Sequence, residues 1–197
     1  MACGLLAAGL LAAAAPAAAQ SAAEVARGKE LVEASCFLCH GMQGESASEL
    51  YPRLAGQHAQ YIARQLEYFR SGARSSTQMA AMVAELTPAD MRALGAYFEA
   101  QTPQPQQPED PELAVVGRYL FMNGNRFSGV PACANCHGAG AGGTAELPRL
   151  AGQVSGYIQA QLRAFKSRAR GHPVMQPVAE LLTELEIVAI GEYLQGR

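Results

Sequence analysis

Two five-residue runs carry the residue types most able to do chemistry: Cys36-Phe37-Leu38-Cys39-His40 and Cys133-Ala134-Asn135-Cys136-His137. Each sets two thiols three positions apart and an imidazole directly after the second. Thiols at that spacing can add across the two vinyl groups of a porphyrin as thioethers, and the adjoining imidazole then lies under the iron as its proximal ligand. A redox dithiol normally sits in a βαβ context, which this sequence lacks. Two Cys-x-x-Cys zinc knuckles 97 residues apart, each with an immediate His, make an awkward tetrahedral set. A disulfide between cysteines this close is strained. The expected cofactors are therefore two covalently bound haem c groups, attached through Cys36, Cys39, Cys133 and Cys136, with His40 and His137 on the irons.

The surroundings of the motifs repeat as well. Pro52-Arg53-Leu54-Ala55-Gly56-Gln57 returns 96 residues later as Pro148-Arg149-Leu150-Ala151-Gly152-Gln153. Tyr61, Ile62, Gln65, Leu66 and Phe69 return at the same offset as Tyr157, Ile158, Gln161, Leu162 and Phe165. That period is too long for a solenoid unit and reads as two copies of one small domain. The expected limits are 20–103 for the first copy and 113–197 for the second, with a stiff Pro/Gln-rich linker over 104–112.

The repeat also sorts the candidates for the sixth iron ligand. The first copy offers Met79, Met82 and His58, and the second offers Met175 and His172. Only Met79 and Met175 are in register; Met82 aligns with Val178, His58 with Val154, and His172 with Ser76. Met79 and Met175 are the expected distal ligands, with Met82 the next choice in the first copy; His58 and His172 are expected at exposed positions. A haem-ligating His usually donates its second ring N–H to a fixed acceptor, and the carbonyls of Pro52 and Pro148 are candidates for that contact. Arg53 and Arg149 are candidates to pair with haem propionates, and Tyr61 and Tyr157 to hydrogen-bond them, against plain rim positions for all four.

The elements that must position these groups read as helices. The stretch 22–34 gathers Val25, Leu31 and Val32 near one face, and 56–71 repeats its apolar residues at helical spacing. Thr87-Pro88-Ala89-Asp90 and Thr183-Glu184-Leu185-Glu186 are helix starts with a hydroxyl N-cap and an acid three residues on. Gly28 with Tyr97, and Gly117 with Tyr193, mark places where the first and last helices of each copy can cross closely. No alternating run is long enough for a confident strand, so the expected class is all-α.

Composition narrows the function. The 197 residues carry a formal net charge of −2, which excludes a nucleic-acid binder acting through bulk positive charge. The apolar run Leu5 to Ala19 is shorter than a spanning helix needs and ends in small residues, so 1–19 is expected to be an export signal cleaved near Ala19/Gln20. No Lys or Arg precedes Arg27, which departs from the usual basic start and keeps an uncleaved anchor open. Cleavage would remove Cys3, the fifth cysteine, and leave the protein in the periplasm. The halves differ in charge: seven basic and nine acidic residues over 24–99, eight and five over 113–197. That asymmetry is expected to orient the halves toward different partners.

With its two Cys-x-x-Cys-His motifs, the paired Pro-Arg-Leu-Ala-Gly-Gln and the segment Met79-Ala80-Ala81-Met82-Val83, the chain resembles the dihaem cytochrome c4 family over roughly residues 22–197. The resemblance implies two tandem class I cytochrome c domains, each wrapped around a covalent haem, with the haem edges facing each other. It implies His40/Met79 and His137/Met175 ligation and periplasmic transfer of single electrons from a quinol-oxidising complex to a terminal oxidase, with peripheral membrane association open. A catalytic dihaem enzyme would need an open iron with acid–base groups beside it; only His58 and His172 are spare and neither repeats, so no catalytic residue is assigned. A dedicated cytochrome subunit of a periplasmic dehydrogenase, such as a flavocytochrome, uses the same fold and stays open.

Overall fold

The structure is a computed structural model that describes residues 17–197. The leader expected over 1–19 therefore lies largely outside the described residues. In the first half, α1 (Ala17–Leu31) runs through a π-helical turn, Val32–Cys36, into the short α2 (Phe37–His40). It is followed by α3 (Ala59–Ser71), α4 (Thr77–Val83) and α5 (Pro88–Glu99). The second half repeats the order with α6 (Pro111–Asn123), α7 (Ala134–His137), α8 (Ser155–Lys166), α9 (Met175–Glu180) and α10 (Glu184–Gln195). Among the described residues the extended pairing is limited to one isolated bridge between Asn125 and Val130. No helix among them is long and apolar enough to cross a membrane.

Local chemistry accounts for the helix starts. Thr87 and Thr183 both form complete capping boxes, with Asp90 and Glu186 returning the bond to the cap residue. Each satisfies backbone N–H groups that the first helical turn leaves unpaired. Pro88 and Pro111 stand at the opening of their helices, where a missing N–H costs nothing.

In each half the first helix crosses the last, and the third packs on the last. The crossings need glycine. A Cβ on Gly28 would stand 2.2 Å from the Ala93 carbonyl oxygen and 2.6 Å from Tyr97 Cβ; on Gly117 it would stand 1.8 Å from the Ala189 oxygen and 2.9 Å from Tyr193 Cβ. The sequence pairing of these glycines with Tyr97 and Tyr193 is thus found in the structure. Two apolar clusters hold the first half, one around Val32, Ile62, Leu94, Tyr97 and Phe98, the other around Phe69, Val83 and Met91. The second half is built on Leu120, Phe121, Ile158, Ile187, Ile190 and Leu194. Full burial of a large apolar side chain contributes about 1.5–3 kcal/mol.

The connection between the halves is fastened rather than free. Gln106 N–H donates to the Gln195 carbonyl at 3.1 Å, the Gln195 amide donates to Gln107 O at 3.0 Å, and Asp110 N–H donates to Glu192 at 2.9 Å. The extended Pro/Gln segment therefore lies along the C-terminal helix of the second half, and α6 begins at Pro111.

Candidate haem sites

The helical turn of each Cys-x-x-Cys-His run ends at a glycine with positive φ, Gly41 at 79° and Gly138 at 77°, which turns the chain away directly after the histidine. Both histidines are buried, each 8% exposed. His40 Nδ1–H donates to the Pro52 carbonyl at 2.9 Å, and His137 Nδ1–H donates to the Pro148 carbonyl at 3.3 Å. Committing Nδ1 in this way fixes the tautomer and leaves the Nε2 lone pair free for a metal. Burial pushes both imidazoles below their ordinary pKa against the opposing pull of the proline carbonyls. Both shifts favour the neutral form, the one in which an imidazole ligates a metal.

Among the described residues the four motif cysteines are in no disulfide, with Cys36 and Cys133 half-buried and Cys39 and Cys136 exposed. Burial raises the Cys36 thiol and pushes Cys133 up to about 11. These are not the lowered values of a reactive redox dithiol.

Met79 is half-buried and packs against the Phe69, Val83 and Met91 cluster, whereas Met82 is 46% exposed. Met175 is half-buried and opens α9. The exposed position expected for His58 is not found. It is half-buried, and its Nε2–H donates to the Gly142 carbonyl of the other half at 2.8 Å. His172 is exposed, as expected.

The residues fit a haem at each motif on two observations, with a third in the second half. The thiols are unpaired, both imidazoles are held with one nitrogen free, and Arg149 Nε is buried without a hydrogen-bond partner among the described residues. A buried guanidinium N–H of that kind suits a propionate oxygen.

Arg53 behaves differently. Its Nε donates to Ser46 O at 2.9 Å, and its Nη1 donates to Gly152 O at 3.2 Å and to Gln104 O. It is a structural clamp rather than a rim residue. Tyr61 and Tyr157 are also engaged across the halves. Arg74 Nη2 donates to the Tyr157 hydroxyl at 2.8 Å and to Gln161 at 2.9 Å, while Arg170 Nη2 donates to the Tyr61 hydroxyl at 3.2 Å and to Gln65 at 2.9 Å.

The same reciprocity governs the repeated glutamines. Gln153 accepts from Arg53 N–H at 2.8 Å and donates to Arg53 O at 2.9 Å; Gln57 accepts from Arg149 N–H and donates to Arg149 O, both at 2.9 Å. A pseudo-twofold axis thus runs between the copies, and the segments that carry the histidine-holding prolines are bonded directly to each other. The signal available in the sequence was the exact repetition of Gln57, Gln65 and Arg74 as Gln153, Gln161 and Arg170.

Tandem helical domains, each with a buried His held beside a Cys-x-x-Cys pair, define a two-domain c-type cytochrome. The cytochrome c family model matches the chain twice, over residues 25–102 and 117–196. The chain is 39% identical over 175 residues to cytochrome c4 of Thiocapsa roseopersicina, covering 86% of this chain and 90% of that protein. It is also 39% identical to a thiosulfate dehydrogenase electron acceptor of Thiomonas intermedia (83% and 79% covered). The crystal structure of reduced recombinant cytochrome c4 from Pseudomonas stutzeri superposes with a TM-score of 0.83 at 33% identity, covering 87% of this chain and 97% of that one. The chain belongs to the dihaem cytochrome c4 family. It is an electron-transfer protein and carries two covalent haem c groups.

Proposed function

We propose that this protein passes single electrons in the periplasm from a quinol-oxidising complex to a terminal oxidase, using His40/Met79 at one iron and His137/Met175 at the other. The thioethers are those of Cys36 and Cys39, and of Cys133 and Cys136; the leader is removed near Ala19/Gln20. When bound, haem supplies the one-electron iron(III)/iron(II) couple.

The observation that carries this reading is the reciprocal bonding of the Pro52–Gln57 and Pro148–Gln153 segments. It ties the two histidine-holding loops into one body, so the redox sites keep a fixed separation while the outer faces stay available to partners. Of the two histidines beyond the ligands, His58 is bonded to Gly142 O, and His172 Nδ1 accepts backbone N–H groups.

A second reading is favoured by one finding, the similarity to a protein named as a thiosulfate dehydrogenase electron acceptor. On that reading the donor is a dehydrogenase rather than the quinol-oxidising complex. Stopped-flow reduction of the purified ferric protein by each enzyme separates the two. Fast reduction by the quinol-oxidising complex, followed by reoxidation by the oxidase, supports the first; reduction confined to the dehydrogenase, with co-purification of the two chains, supports the second.

A further inference from the structure

The register of the repeat sets His172 where the first half has Ser76. In the first half the Ser76 hydroxyl accepts from Met79 N–H at 3.2 Å and caps α4. The second half has no hydroxyl there, and α9 has no side-chain cap on the residue that precedes it, Val174. The imidazole takes over. His172 Nδ1 accepts from Val174 N–H and from Met175 N–H, both at 3.2 Å. The His172 backbone N–H donates to the Gln176 side-chain carbonyl at 3.2 Å. Pro173 has no N–H of its own, so the Val174 and Met175 amides are the first two that the ring can collect. Different chemistry at one register position thus holds the same group, the backbone N–H of the methionine.

The ring is itself held. Its edge meets Phe165 with centroids 6.1 Å apart at 72°, and the Arg170 guanidinium covers Phe165 at 4.6 Å. Arg170 is bonded to Tyr61 and Gln65 of the first half. A continuous set of contacts therefore runs from the interface between the halves to the segment that presents Met175.

We propose that His172 is a positioning residue for the distal ligand of the second iron: its Nδ1 lone pair fixes the turn that presents Met175, the task Ser76 performs for Met79. This rests on Met175 being that ligand. With Nδ1 accepting, the ring proton sits on Nε2, so His172 serves as an acceptor toward its own backbone and not as an iron ligand. The role is specific to one haem, because the first half does the same work with a hydroxyl.

The test uses the full-length holoprotein with imidazole as an external probe of each iron, together with the weak red absorption band of Met-ligated ferric haem and the two reduction potentials. Loss of a capping acceptor corresponds to about a fivefold change in an equilibrium. His172→Ala should raise apparent imidazole affinity at the second haem about fivefold, shift that potential and leave the first haem unchanged. His172→Ser, which restores the first half's acceptor, should return both readouts toward wild type. Ser76→Ala should act on the first haem alone. The role is overturned if His172→Ala leaves the second haem unaltered, if it alters both haems equally, or if His172→Ser behaves as His172→Ala does. Met175→Ala separates the role from the ligand assignment. If it leaves the second haem's band intact, the assignment fails and the role with it; if it abolishes the band while His172→Ala is silent, only the role fails.

Discussion

Replacing Gln153 with leucine removes a side chain whose three bonds all lie in a buried part of the interface. Gln153 is 7% exposed. Its carbonyl accepts from Arg53 N–H at 2.8 Å and from Val154 N–H at 3.0 Å, and its amide donates to Arg53 O at 2.9 Å. Leucine keeps the volume and leaves these backbone groups without partners. An orphaned buried group costs about 1–3 kcal/mol. Partial rescue by water at the two Arg53 groups brings the expected loss to about 2–5 kcal/mol, a large share of a typical total of about 5–15 kcal/mol. At about 2–4 °C per kcal/mol for a chain of this size, thermal unfolding of the holoprotein should fall by roughly 4–20 °C. Gln57→Leu strips an equivalent set, the Arg149 N–H and O and the His58 N–H, and should cost the same within about 1 kcal/mol. The measurement is guanidinium unfolding of both variants followed by haem absorbance. A loss below about 0.5 kcal/mol in either, or a large loss in one alone, would refute the reciprocal-clamp reasoning.

Gly117→Ala and Gly28→Ala force a methyl against backbone in the helix crossings, where the neighbours cannot turn aside. Each should cost about 1–3 kcal/mol or more, with Gly117→Ala the worse, as read from melting temperatures. Thr87→Ala removes the hydroxyl half of a capping box and should cost about 1 kcal/mol in denaturant unfolding. Glu186 is buried, which by itself raises its pKa, but bonds from Asn125 and Thr183 outweigh this and hold it below the usual carboxylate value. Its contribution is therefore complete above the unfolded pKa of about 4.3 and is lost as pH falls through the lower folded value. Glu186→Gln should flatten the acid limb of melting temperature against pH, and an unchanged limb would contradict the assignment.

What could be read from the sequence was mostly local. The threonine caps, the glycine–tyrosine crossings and the proline carbonyls that hold His40 and His137 each follow from short spacings or from in-register repetition. Two features were not read. The first helix was expected to run through Ala34, yet the ladder changes to a π turn at Val32. A switch from i→i+4 to i→i+5 pairing leaves no mark in apolar periodicity. The second was the destination of Gln57, Arg53, His58 and the two tyrosines. A repeat shows that a residue recurs, but a contact within one copy and a contact between copies leave the same trace. The structure assigns these residues to the interface, where pseudo-twofold symmetry makes each copy the other's partner.

Axial ligation is the central claim, and the red Met–iron band of the ferric holoprotein tests it most directly. Wild type should show the band at full strength for two haems. Met79→Ala and Met175→Ala should each remove half of it, the double variant should remove all of it, and Met82→Ala should leave it whole. A band that survives either single substitution intact, or that is halved by Met82→Ala, would contradict the assignment.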